Sequence, residues 1–79
     1  MTGYELWDTA SRNLLDDFET EAKALAAIRE LMALNGPDCT EALALTRVDG
    51  PGQMTTLATG AALAVRAQAA APQPGPLPA

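Results

Sequence analysis

The chain contains no histidine and only one cysteine, Cys39. A single thiol cannot close an intrachain disulfide, so a disulfide framework is excluded. The usual nitrogen and sulfur ligands of zinc are also missing, and every nucleophile that depends on a histidine base is absent. We therefore expect a protein that is not an enzyme and holds no cofactor, although these absences do not bear on a cation site built from carboxylates.

Large apolar side chains are scarce as well. Hydrophobic residues make up 48% of the 79 residues, but 17 residues are alanine, whereas Leu, Ile, Val and Phe together number 15. These larger residues are concentrated before residue 66, in periodic segments that can form one small core. A domain of this length buries only about 60% of the surface of its unfolded chain, so a partner would add useful stability.

Long apolar runs and positive charge are also lacking. No run approaches the roughly 18 residues needed to cross a bilayer, and residues 1–5 lack the basic and apolar segments of a secretory signal. We therefore expect a cytoplasmic protein with no membrane partner. Ten acidic residues against five basic ones give a formal net charge of −5, which disfavours direct binding to nucleic-acid phosphates.

The end of the chain differs in composition from the rest. No charged residue follows Arg66, and proline occupies every second position from residue 72 onwards. This pattern predicts a single domain over residues 1–71 and a disordered tail over 72–79 that favours polyproline II geometry. The tail is either a docking peptide for an aromatic groove, with Pro74 and Leu77 as anchors, or a terminus with no binding role.

Short apolar segments separated by turn residues predict two hairpins. Residues 4–8 and 13–18 form the first pair, and residues 43–48 and 54–59 flank a glycine- and proline-rich turn in the second. Between the hairpins, Thr20 can cap a helix over residues 21–34, and Gly36 followed by proline can end it. A helical turn in the connection over 37–40 and a short C-terminal helix from residue 59 or 60 complete the order.

The predicted order is ββαββα. The simplest arrangement is a two-layer α+β domain, in which a four-stranded, mainly antiparallel sheet packs against a central amphipathic helix. The apolar arc of that helix consists of Ala24, Leu25, Ala27, Ile28, Leu31 and Met32.

The predicted strands are apolar on both faces, because neighbouring side chains of a strand point in opposite directions. One helix covers only one face, so the other must be covered by the C-terminal helix, a second copy of the chain or a different partner. Trp7 is either an interface residue or a filler of the core. The interface candidates are Leu6, Trp7, Leu14, Leu15, Leu45 and Val48.

Carboxylates around the first hairpin are the main candidates for chemistry. Asp8, Asp16, Asp17 and Glu19 offer oxygen ligands for a divalent cation or an acid/base pair at a small-molecule site. However, Asp16 and Asp17 are adjacent and should point to opposite faces of a strand. The alternative is a solvated strand edge that discourages aggregation.

One segment carries a family resemblance. Phe18-Glu19-Thr20-Glu21-Ala22 at the end of a hairpin, followed by Ala24-Leu25 in an amphipathic helix and by another hairpin, resembles the ββαββ module of HicB-like antitoxins over residues 3–59. The resemblance implies dimerisation and binding of a basic toxin partner, which would suit the acidic charge. The chain has no recognisable helix-turn-helix or ribbon-helix-helix after this segment, so operator binding is not implied.

These patterns together predict a protein–protein interaction module. We expect a homodimer formed through the sheet face, or an edge strand, that the first helix leaves uncovered, with an antitoxin-like role as one version. The alternative is a small-molecule or divalent-metal site on Asp8, Asp16 and Asp17. A third hypothesis is an acidic decoy that occupies the basic nucleic-acid site of another protein.

Overall fold

A computed structural model describes residues 2–70. The predicted tail over 72–79, with Pro74 and Leu77, lies outside the described residues. The elements follow one another as β1 (Gly3–Asp8), β2 (Asn13–Phe18), α1 (Glu21–Asn35), a 3-10 helix (Pro37–Ala42), β3 (Leu43–Gly50), β4 (Gln53–Thr59) and α2 (Gly60–Ala69). No helix in the described part of the chain is long and apolar enough to cross a membrane.

The four strands form one antiparallel sheet in the order β2-β1-β3-β4. The two hairpins therefore meet through their first strands, and β1 and β3 occupy the centre of the sheet. Leu6 of β1 lies opposite Leu45 of β3 in the register. The predicted α+β class, the ββαββα order and the four-stranded antiparallel sheet are all confirmed.

Both helices pack on the same face of the sheet. Leu6 and Leu45 lie beneath them, and Leu63 and Ala67 of α2 belong to the same buried cluster as the apolar residues of α1. The remaining members of that cluster are Ala24, Leu25, Ile28, Met32 and Leu43. Of the three ways to cover the second face of the sheet, coverage by the C-terminal helix is therefore wrong.

Helix α1 begins at the predicted Glu21 and ends at Asn35, one residue beyond the predicted Leu34. The Thr20 Oγ1 accepts a hydrogen bond from the Lys23 backbone N–H at 3.1 Å, which satisfies a donor in the first turn. At the other end, Gly36 adopts a φ of 89° and its N–H donates to the Met32 carbonyl at 2.8 Å. Proline follows at position 37 and blocks continuation of the helix.

Polar contacts fix α2 beside α1. The Arg66 Nη2 and Nε lie 2.7 and 2.8 Å from Oε2 of Glu21, in the first turn of α1. In addition, the Arg29 Nη1 donates to the Ala67 carbonyl at 3.1 Å, where a cation also interacts favourably with the negative end of the α2 dipole. β4 passes into α2 without an intervening loop, at Gly60, whose φ is 54°.

The packing of α2 predicts unequal effects of two substitutions on one helix. Leu63 is completely buried, so we expect Leu63→Ala to lower the free energy of unfolding by about 2 to 5 kcal/mol. Val65 is 68% exposed, so we expect Val65→Ala to change it by no more than about 0.5 kcal/mol. Urea denaturation at one fixed protein concentration measures both, and equal effects of the two substitutions would contradict this packing.

Candidate functional site

The sheet surface turned away from α1 and α2, here called the open face, is the candidate site. Leu6 and Leu45 point into the core, so the side chains that flank them in β1 and β3 point the other way. Because paired residues of neighbouring strands have their side chains on the same face, the register assigns the residues of β2 and β4 as well. The open face consists of Glu5 and Trp7 of β1, Leu14 and Asp17 of β2, Ala44, Thr46 and Val48 of β3, and Met54, Thr56 and Thr59 of β4.

These side chains form three rows across the strands, as the register defines them. The outer row near the start of β3 contains Leu14, Trp7, Ala44 and Thr59. The middle row contains Asp17, Glu5, Thr46 and Thr56. The outer row near the end of β3 contains Gly3, Val48 and Met54. Apolar residues therefore flank a polar row whose carboxylates lie on β1 and β2 and whose hydroxyls lie on β3 and β4.

A hydrogen bond joins one outer row to the polar row. The Trp7 Nε1 donates a hydrogen bond to the Glu5 Oε1 at 3.2 Å, which ties the indole to the middle row. Leu14 is 46% exposed and Met54 is 52% exposed, at opposite corners of the face. The open face therefore offers a partner one aromatic ring, exposed aliphatic side chains at two corners and a charged centre.

The six predicted interface residues fall into separate groups. Leu6 and Leu45 lie in the core beneath the helices, where no partner can reach them. Trp7, Leu14 and Val48 lie together on the open face, and Trp7 is outside the core cluster. The pairing of β1 with β2 shifts between Leu6 and Trp7, which leaves Leu15 without a partner in a β-bulge.

Met54, which is 52% exposed, and Ala44, which is only 9% exposed, are members of the open face that the interface candidates did not include. Both lie within predicted strands, and in each strand the following residue points to the face that the helices cover. Met54 could have been found from its register, because it pairs with Val48 across the second hairpin. Ala44 could not be singled out by residue type, since alanine is spread through the whole chain.

The carboxylates of the first hairpin do not converge on one point. Asp16 pairs with Leu6 and Asp17 with Glu5, so the two aspartates lie on opposite faces, as predicted. The Asp16 Oδ1 instead accepts a hydrogen bond from the Asp17 backbone N–H at 2.8 Å. Within residues 2–70, no three Asp, Glu or Cys side chains are placed to hold a metal ion.

Asp8 is engaged by its own turn. Its Oδ1 accepts hydrogen bonds from the backbone N–H groups of Ala10 at 2.9 Å and Ser11 at 3.4 Å. These bonds favour the ionised carboxylate and lower its pKa below the ordinary value of 3.8. A general acid at neutral pH needs a raised pKa, so this turn supports a structural role for Asp8.

No family model, curated protein or solved structure matches this chain. The resemblance to HicB-like antitoxins stays a prediction that depends on the residues quoted for it. The open face is the feature from which a function can be argued, since it combines apolar exposure with a defined pattern of charge.

The turn at Asp8 generates a prediction about pH. Because its pKa is lower in the folded protein than in the unfolded chain, the carboxylate contributes stability that is present above pH ~4 and is lost as the pH falls through the folded pKa. We expect carbon-13 NMR titration to give Asp8 a lower pKa in the native protein than in the same protein unfolded in urea. Identical values in the two states would contradict the hydrogen bonding described for this turn.

Proposed function

We propose that this protein is a non-enzymatic protein–protein interaction module that forms a homodimer through the open face. The supporting observation is that α1 and α2 share one face of the sheet, while Trp7, Leu14, Val48 and Met54 lie on the other. Apolar side chains grouped on a protein surface mark interaction sites, and tryptophan is enriched among the residues that dominate binding energy.

The size of the domain supports a second copy as the partner. The buried cluster contains only nine residues, of which two are alanine. A core this small leaves modest stability, and two sheets packed face to face would add a second buried layer between them. Two-fold symmetric dimers are also the commonest closed assemblies, because one self-complementary surface is sufficient to form them.

A basic protein is a second candidate partner, supported by charge. The net charge is −5, and the open face contains Glu5 and Asp17 but no lysine or arginine. In a homodimer these two carboxylates are covered, so a basic partner would contact acidic side chains elsewhere. Asp16, Glu30 and Glu41 are exposed in the single chain. Binding of this kind would correspond to the antitoxin-like role and would weaken as salt concentration rises.

The homodimer predicts a specific loss of association. We expect light scattering across a hundredfold dilution series to give a dimer for the wild-type protein. Trp7→Ala should raise the dimer dissociation constant by about thirtyfold, which corresponds to about 2 kcal/mol for a central aromatic residue. Leu14→Ser should also raise it, and because Leu14 is half exposed in the single chain this variant should retain its fold.

Leu34→Ala is the matched control, because Leu34 is highly exposed on α1, outside the open face. We expect its dissociation constant to equal that of the wild-type protein. A wild-type mass that corresponds to one chain at every concentration would overturn the homodimer. A dimer weakened equally by Leu34→Ala and Leu14→Ser would place the interface elsewhere.

A further inference from the structure

The pattern of charge on the open face specifies how two copies would meet. We propose that the two-fold axis of the homodimer runs parallel to the strands, between β1 and β3, so that each copy's carboxylates face the other copy's threonines. This inference depends on the homodimer proposed above. It adds the relative orientation of the two copies and the residues that face each other.

Two arrangements satisfy the geometry of a face-to-face dimer. The two-fold axis must lie in the plane between the sheets, because the same face is used by both copies. Separate sheets pack in an aligned manner, with their strands about 30° apart, whereas orthogonal packing usually involves strands that continue from one sheet into the other. The axis therefore runs either along the strands or across them.

An axis across the strands brings like charges together. Each outer row then faces the other outer row of the second copy, and the two middle rows face each other. Glu5 therefore faces Glu5 of the second copy, and Asp17 faces Asp17. Both arrangements cover the same four carboxylates, but only this one sets each carboxylate opposite another, on a face that contains no lysine or arginine. Burial of unpaired like charges is strongly unfavourable, so this arrangement is disfavoured.

An axis along the strands gives complementary contacts instead. It places β1 of one copy over β3 of the other, and β2 over β4, while each row faces the same row. Asp17 then faces Thr56 of the second copy, and both are exposed in the single chain, while Glu5 lies over Thr46, which is only 6% exposed. A threonine hydroxyl can donate a hydrogen bond to a carboxylate, and such charge-assisted bonds are stronger than neutral ones.

The outer rows also fit in this orientation. Trp7 faces Ala44 of the second copy and Val48 faces Gly3, so a large side chain meets a small one at these two positions, and Leu14 faces Thr59. Alternation of large and small residues allows two sheets to interdigitate at the density of a protein interior. The assembly would have four layers, with the two sheets inside and the helices of both copies outside.

The size of the face places the axis at its centre. Stable interfaces bury on the order of 800 Å² on each partner. Four strands of six to eight residues approach that area only when the whole face is covered. A central axis between β1 and β3 covers all four strands of both copies, whereas an axis displaced toward β2 or β4 leaves part of each face exposed.

Thr56 separates the two orientations by experiment. It is exposed in the single chain, so both Thr56→Glu and Thr56→Lys should retain the fold. With the axis along the strands, residue 56 faces Asp17 of the second copy. Light scattering should then show a dissociation constant about tenfold higher for Thr56→Glu than for the wild-type protein, and a lower one for Thr56→Lys.

The neighbouring Thr55 supplies the matched control. It is exposed on the same strand but belongs to the opposite face, so Thr55→Glu and Thr55→Lys change the net charge equally without entering the interface. We expect smaller changes in the dissociation constant for these two variants. Adding Asp17→Lys to Thr56→Glu should restore dimerisation, since the facing charges are then opposite.

Each alternative outcome overturns a defined statement. A wild-type protein that remains a single chain at every concentration overturns the homodimer, and this orientation with it. If Thr56→Glu and Thr56→Lys weaken the wild-type dimer equally, the orientation alone is overturned, because residue 56 would then face residue 56 of the second copy. A dimer insensitive to all four threonine variants also overturns the orientation and would place the contact at an edge strand.

Discussion

The position of α2 beside α1 is the constraint on which the rest of the molecule depends. Arg66 reaches Glu21 in the first turn of α1, and Arg29 reaches back to the Ala67 carbonyl at the end of α2. Leu63 of α2 is buried in the apolar cluster that the two helices share with the sheet. Both helices are thereby committed to one layer, and the opposite face of the sheet is left for other contacts.

Local features of the fold could be predicted because each depends on a few consecutive residues. Thr20 and Gly36 mark the ends of α1 through backbone hydrogen bonds within one turn of each residue. The hairpins follow from turn residues between apolar segments. The side of the sheet on which α2 packs could not be predicted, because Glu21 and Arg66 are 45 positions apart and the apolar stripe of a helix does not specify which sheet face it meets.

The candidate site was predictable in part for a related reason. Alternation correctly separates Leu45 from Val48, and Leu6 from Trp7, but it cannot say which member of each pair faces the helices. That choice depends on tertiary packing. The bulge at Leu15 was also inaccessible, because one unpaired residue in a strand leaves no mark in the apolar pattern. The row of carboxylates and threonines emerges only from the strand order.

The junction at Gly60 has a consequence for how this surface could change. β4 enters α2 through a single residue whose φ of 54° suits glycine, so one backbone torsion directs the helix away from the open face. Of the open-face residues in the described chain, only Thr59 takes part in that turn, as the N-cap residue of α2, and its side chain makes no capping hydrogen bond. Ala44 and Thr46 are buried in the single chain, but the exposed side chains of this face can vary while the topology persists, so binding specificity and folding are encoded by largely separate sets of residues.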